Sequence, residues 1–156
     1  MLKQFTYKFT EGPFRSISEL LSEWKSGNCR RAVQYFLYRK KRIFLKPEQV
    51  LCPEAFYNTG TFIMDNNNKF NSILLKEGDI IYAEKIRNKE KKVVNKNKIT
   101  FSNYDEYIVS LHTALYTNKK GKEIWHASLI EGKSSYWSLN KFLYYYKPVV
   151  VKRITL

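Results

Sequence analysis

The sequence predicts an α+β protein in which N-terminal helices pack on a central antiparallel β-sheet. Apolar residues recur at helical spacing before residue 43, whereas after residue 78 they form short runs typical of strands. Turn sequences separate these runs closely enough to join neighbouring strands as hairpins. Helices followed by antiparallel strands define the α+β class. A length of 156 residues is expected to form one domain spanning 1–156.

An extended lead-in over 1–15 precedes the first predicted helix, at 17–26. Ser16 and Glu19 have the spacing of a capping box at its start. Gly27 stands where a helix C-terminal cap belongs. These signals predict a short helix closed at both ends.

The second predicted helix begins at Cys29 and ends near Arg42. Cys29, Val33, Phe36 and Leu37 share one apolar face at helical spacing. Basic residues in the last turn complement the helix dipole. The polar residues predicted to lie on other faces are Arg30, Arg31, Gln34 and residues 39–42.

The second half of the chain is predicted to form strands. Residues 43–72 are less regular, and a turn at Glu77–Asp79 precedes a strand that begins near Ile80. Residues 87–98 are rich in Lys and Asn, which is typical of a solvated hairpin tip. The apolar run at 104–117 predicts a strand buried on both faces.

A short turn at Lys119–Gly121 is expected to return the chain into a strand over 124–130. Apolar spacing predicts a short helix at 139–146. Pro148 is expected to end that helix, because proline removes a helix hydrogen bond. A closing strand over 149–154 completes the predicted sheet.

The charge balance favours an anionic partner. The chain carries 28 Lys and Arg against 14 Asp and Glu, a net charge of +14. Such a surface attracts nucleic acid or another anionic polymer. A genome rich in AT codons would produce the same composition without selection for binding. The absence of a long apolar run or a signal-like N-terminus predicts a cytoplasmic location by default, with delivery outside the cell left open.

Two cysteines and two histidines are the residues that first need testing as metal ligands. Zinc sites use closely spaced pairs such as C-x2-C. Cys29 and Cys52 are 23 positions apart, and His112 and His126 are 14 apart. The spacing therefore predicts no metal site, and nothing in the sequence calls for a cofactor.

Cys29 is the candidate nucleophile. A thiol at a helix N-terminus beside Arg30 and Arg31 is favoured as thiolate. His112 and His126 lie on consecutive predicted strands and can face each other across a hairpin. The alternatives are ordinary: a cysteine packed on an apolar helix face and histidines buried as structural groups. Cys52 has no such helix start and is interpreted as structural.

Three motifs, the third a hairpin of two strands, resemble the NlpC/P60 family of papain-like cysteine peptidases, and the closing segment matches as well. NCRRAVQY at 28–35 is similar to the family's nucleophile motif, and GDIIY at 78–82 to the start of its first core strand. HTALY at 112–116 and IWHAS at 124–128 resemble the strands that carry its two histidines. The final VKRI, at 151–154, matches the usual end of the domain. The resemblance implies a papain-like NlpC/P60 fold over nearly the whole chain.

The resemblance also implies roles for individual residues. Cys29 would be the nucleophile, His112 the general base and His126 the group that orients it. The backbone N–H groups of Cys29 and Arg30 would form the oxyanion hole. Side chains expected to contact the substrate are Arg30, Arg31 and Trp24.

The function predicted from these features is a cysteine hydrolase that cleaves an amide bond in a small peptide through an acyl-enzyme. A peptide or cell-wall fragment, such as a peptidoglycan stem peptide, is the expected substrate. An acyltransferase on the same fold is a close variant. Two other classes stay open: a basic module that binds nucleic acid or an anionic polymer, and an inactive family member that serves as an interaction domain.

Overall fold

The computed structural model describes residues 1–51, 60–64, 69–86, 111–128 and 130–154. These residues form helices and a sheet whose neighbouring strands are antiparallel, which confirms the α+β class. Four predictions fall outside the described residues: the hairpin tip at 87–98, Cys52, the start of the strand at 104–117 and residue 129 of the strand at 124–130.

The strands in the described residues are β1 (Phe5–Thr6), β2 (Lys8–Phe9), β3 (Ser26–Gly27), β4 (Gly60–Met64), β5 (Ile80–Lys85), β6 (His112–Tyr116), β7 (Ile124–Ser128), β8 (Lys133–Trp137) and β9 (Tyr146–Ile154). Seven of these strands form one sheet in the order β1-β8-β7-β6-β5-β9-β4, and every neighbouring pair is antiparallel. The other two, β2 and β3, pair in parallel over two residues each. The helices are α1 (Ile17–Ser22), α2 (Cys29–Lys41), α3 (Pro47–Leu51) and α4 (Leu139–Tyr145), with a 3-10 turn at Ser72–Leu74.

Helix α2 has the limits that the sequence predicts. The Asn28 side chain caps its start by accepting the backbone N–H groups of Arg30 and Arg31 at 2.9 and 3.0 Å. Arg42 ends it in the left-handed conformation, with φ 56°. Of the residues predicted to lie on other faces, 39–42 are exposed, whereas Arg30, Arg31 and Gln34 are buried like the rest of the stretch from Arg30 to Leu37.

The segments around Phe14 and Leu45 cover the polar side of α2. The buried amide of Gln34 donates to the carbonyl oxygens of Phe14 and Leu45 at 3.0 and 2.8 Å, and it accepts the Phe14 N–H at 2.7 Å. A buried amide with all these partners is well accommodated. Helix periodicity alone does not reveal this cover, since it comes from distant parts of the chain.

The sheet carries a separate apolar cluster on each face. On one face α2 packs against residues that include Tyr82, Leu115 and Trp125, and the Trp125 indole N–H donates to the Ala32 carbonyl at 2.9 Å. On the opposite face Phe142 packs with other side chains of α4, β5, β7 and β9. The sheet is therefore a layer between α2 and α4.

The G-D motif has a structural role at the start of β5. Gly78 adopts φ 94°, a conformation that favours glycine. Asp79 is fully buried and binds Arg153 through two hydrogen bonds of 2.9 Å each. This bidentate pair ties the start of β5 to the end of β9.

Two predicted boundaries are wrong by three or more residues, and one strand was not predicted. Helix α1 ends at Ser22 rather than at residue 26, because the chain there turns into β3. Strand β9 starts at Tyr146 and includes Pro148, where a bulge opposite Ala83 breaks the regular register and accommodates a residue without an N–H donor. Strand β8 was not predicted, since its sequence KSSYW lacks a clear apolar pattern.

Candidate active site

Cys29 is the first residue of α2, and its side chain is partly exposed. It borders a cleft of about 400 Å³ whose other wall is formed by residues 9–13 of the N-terminal segment. The Asn28 amide holds this wall to α2 by donating to the carbonyl oxygens of Thr10 and Gly12 at 2.5 and 2.7 Å. A substrate entering this cleft would reach the thiol at the helix N-terminus.

The sulfur of Cys29 is bound by the side chain of its own neighbour, Arg30. Arg30 Nη1 lies 3.1 Å from Cys29 Sγ and 2.5 Å from the carbonyl oxygen of Leu111. The Arg30 side chain is buried, at 7% exposure. The Thr113 backbone N–H is a further donor to the sulfur. The thiol is thus held between α2 and the start of β6.

These contacts lower the pKa of the Cys29 thiol below its ordinary value. Burial by itself raises this pKa, because it disfavours the charged thiolate. The positive charge of Arg30, the hydrogen bonds from Thr113 and Arg30 and the more distant charge of Lys85 together outweigh burial. Position and electrostatics therefore both favour the nucleophilic form of the sulfur.

The predicted oxyanion hole needs a correction at Arg30. The Arg30 backbone N–H donates to Asn28 Oδ1, which also accepts the Arg31 N–H. A donor already used by the helix cap does not face a reacting carbonyl oxygen. The donors that do approach the sulfur are the Arg30 guanidinium and the Thr113 N–H.

The two histidines meet as the hairpin argument predicts. His112 Nε2 lies 2.8 Å from His126 Nδ1, which confirms that the two rings pair. The pKa of His112 lies well below its ordinary value through burial and through the charges of Lys85 and Arg30. The pKa of His126 is lowered in the same way, by burial first and then by His112 and Lys141. Both rings are therefore neutral at neutral pH.

The histidine pair lies on the face of the sheet opposite α2. His112 stacks on Tyr146 with 4.3 Å between ring centroids, and His126 contacts Trp137 at 4.2 Å. Both aromatic residues belong to the cluster packed against α4. Among the hydrogen bonds of the described residues, none joins Cys29 to either histidine. The expected pairing of Cys29 with His112 is therefore wrong: the sulfur contacts Arg30, whereas the His112 ring lies on the other face of the sheet with His126.

Arg31 and Trp24 do not line the cleft as predicted. The buried Arg31 guanidinium binds Glu19 at 3.4 Å and the Gly12 carbonyl at 2.9 Å, so it fastens the N-terminal segment to α2. Trp24 stacks on Tyr35 with 5.9 Å between ring centroids and contributes to the apolar core. Of the predicted substrate contacts, only Arg30 borders the cleft.

No group of three His, Cys, Asp or Glu side chains able to hold a metal ion is found in the part of the chain that the structure describes. A run of basic residues, 39–42, is exposed at the end of α2. Lys40 and Lys119 both lie close enough to the amino group of Met1 to lower its pKa. These residues form a basic surface separate from the cleft.

A scan of the chain against protein-family models finds no match, and searches of curated proteins and of solved structures find none either. None of the helices in the described ranges has the length and apolar character needed to cross a membrane.

Proposed function

We propose that this chain is a thiol-dependent acyl-transfer enzyme, a cysteine hydrolase of NlpC/P60 type in which Cys29 forms an acyl-enzyme. One observation carries the proposal. Cys29 begins a 13-residue helix beside an open cleft, and its sulfur is hydrogen-bonded to the buried guanidinium of Arg30. A partly exposed cysteine at a helix start, with a thiol pKa lowered by a neighbouring guanidinium, is the arrangement of a nucleophile rather than of a core cysteine.

The chemistry follows from that arrangement. The Cys29 thiolate attacks the carbonyl carbon of a substrate bound in the cleft, and the leaving group departs as the acyl-enzyme forms. Water then releases the acyl group and restores the thiolate. The Thr113 N–H and the Arg30 guanidinium, both at the sulfur, are the donors nearest to the oxygen that becomes negative during attack.

The remaining roles in the proposal come from the resemblance. The resemblance assigns His112 as the general base and His126 as the group that orients its ring. Their 2.8 Å contact fits the role of His126, whereas His112 lies on the face of the sheet opposite α2, so its ring does not face the Cys29 sulfur. A small peptide amide, including that of a wall stem peptide, is the substrate class that the family implies.

The test is the rate at which iodoacetamide alkylates Cys29 at different pH values. Tryptic digestion releases Cys29 in the peptide SGNCR, which mass spectrometry distinguishes from any peptide containing Cys52. Glutathione in the same solutions provides the rate of an ordinary thiol. We expect Cys29 to stay reactive below pH ~7, where a free thiol of pKa ~8.5 is largely protonated.

The result that contradicts the proposal is equally plain. If Cys29 is inert at every pH, or follows the pH profile of glutathione, the thiol is not activated. The structural interpretation of Cys29 would then replace the enzymatic one.

A further inference from the structure

The charge partner of the Cys29 sulfur is a guanidinium rather than an imidazole. Arg30 Nη1 is 3.1 Å from Sγ, and the carbonyl of Leu111 fixes the same nitrogen at 2.5 Å. Adjacent residues of a helix seldom face each other. This contact forms because the Arg30 side chain folds back over the start of α2 and is buried against β6.

The buried histidine pair does not compete with Arg30 for this role. His112 uses Nε2 to contact His126, and its ring stacks on Tyr146 on the far face of the sheet. An imidazolium beside a thiolate normally serves twice, first as charge partner and then as the acid that protonates a leaving amine. Here the Arg30 guanidinium is the charge partner, and it cannot also act as the acid because guanidinium is not deprotonated in proteins.

We propose that Arg30 is the charge partner of the Cys29 thiolate, and that the site therefore acts on acyl donors whose leaving group departs without a proton, namely thioesters, rather than on amides. This inference rests on the proposed function, in which Cys29 is the nucleophile. It differs from the family expectation in the substrate bond that is cleaved. Arg30 touches the reacting atom and is a catalytic residue in this scheme.

The acylation step balances without an acid. The Cys29 thiolate forms a bond to the carbonyl carbon, and the bond from that carbon to the donor sulfur breaks with its electron pair on the leaving sulfur. The leaving thiolate, with a thiol pKa of ~8.5, is a weak enough base to depart as an anion. An amine that left as an anion would be a far stronger base than a thiolate, so the nitrogen of an amide must be protonated as it leaves. In the second step water adds to the acyl carbonyl carbon and displaces Cys29 as a thiolate, and the protons of that water pass to solvent in the cleft.

The first arm of the test compares variants in the alkylation assay. Arg30→Met removes the charge, Arg30→Lys keeps it on a shorter side chain, and His112→Asn removes the imidazole to which the resemblance gives the role of partner. We expect Arg30→Met to lower the alkylation rate of Cys29 at pH 7 at least about tenfold, which corresponds to one pKa unit. The alkylation rate of Arg30→Lys should lie between those of wild type and Arg30→Met, and His112→Asn should change the rate less than about twofold. Arg39→Met, the same substitution at an exposed position of α2, is the matched control.

The second arm uses the wild-type full-length chain and two donors with the same acetyl group. One is the thioester S-acetyl-N-acetylcysteamine and the other is the amide 4-nitroacetanilide. The rate of acetyl-Cys29 formation is compared with the acetylation of glutathione by each donor. We expect the thioester to acetylate Cys29 at least about tenfold faster than it acetylates glutathione at pH 7, because each unit by which a thiol pKa is lowered increases the thiolate fraction up to about tenfold. We expect the amide to give no adduct on Cys29.

Each failure has a distinct meaning. If His112→Asn lowers the alkylation rate and Arg30→Met does not, or if the anilide acylates Cys29 as readily as the thioester, the inference is wrong while Cys29 remains a nucleophile. If circular dichroism shows that Arg30→Met does not fold, the alkylation rate of Arg30→Lys and the comparison of the two donors still test the inference. If Cys29 behaves as an ordinary thiol towards every reagent, the proposed function and the inference fail together.

Discussion

Replacing Asn28 with Ala removes the side chain that builds both the helix start and the cleft wall. Its Oδ1 caps α2 through the N–H groups of Arg30 and Arg31, and its Nδ2 donates to the carbonyl oxygens of Thr10 and Gly12. Loss of an N-cap costs about 1 kcal/mol. Loss of two further hydrogen bonds, each worth about 1 kcal/mol, brings the expected decrease in the free energy of unfolding to about 3 kcal/mol.

The assay is urea denaturation of wild type, Asn28→Ala and Asn28→Ser, followed by circular dichroism. The midpoint should fall in the alanine variant while the m-value stays the same. Serine caps a helix as well as asparagine does but cannot reach the two carbonyl oxygens, so it should recover about 1 kcal/mol of the loss. A loss below about 1 kcal/mol in Asn28→Ala, or equal losses in both variants, would refute this account of the helix start.

Three other outcomes are expected. Because folding lowers the pKa of both His112 and His126, the unfolded chain binds more protons than the folded chain below pH ~6.5, and the stability present above that pH is lost as the pH falls. The free energy of unfolding, measured by urea denaturation between pH ~5 and ~6.5, should decrease as the pH falls by at most about 1.4 kcal/mol per pH unit for each histidine, and a flat profile would contradict the buried neutral pair. Asp79→Ala should reduce the free energy of unfolding by about 3 kcal/mol, because it leaves the Arg153 guanidinium without its bidentate partner; a loss equal to that of an exposed Glu77→Ala would argue against it. His112→Ala should leave attachment and release of the acyl group largely unchanged, because its ring lies on the face of the sheet opposite Cys29; accumulation of acylated Cys29 would instead support the role that the resemblance implies.

The local signals in the sequence predicted the framework of the site. Asn28 before Cys29 and the basic turn ending at Arg42 give the limits of α2, because caps and helix periodicity act within a few residues. The pairing of His112 with His126 followed from hairpin geometry in the same way. Such features depend on neighbours in sequence or on a single turn.

The remaining features depend on contacts between distant segments. Arg30 was predicted to lie away from the apolar face of α2, but its side chain is buried because the guanidinium donates to the Leu111 carbonyl oxygen beside the Cys29 sulfur. Arg31 is neutralised by Glu19 of α1, which no helical pattern within α2 reveals. Strand β8 depends on pairing with β7 rather than on its own apolar content. The face on which the histidines lie depends on the register of the sheet, and a shift of one residue would reverse it.

The formation of an acyl-enzyme on Cys29 tests the central claim most directly. The wild-type chain and Cys29→Ala are mixed with 4-nitrophenyl acetate at pH 7, quenched with acid at intervals and digested for mass spectrometry. The account predicts an acetyl group on the Cys29 peptide that appears early and then declines as it is hydrolysed, with 4-nitrophenol released much more slowly by the variant. Equal release by both proteins, or acetyl groups found only on Cys52 and lysines, would contradict it.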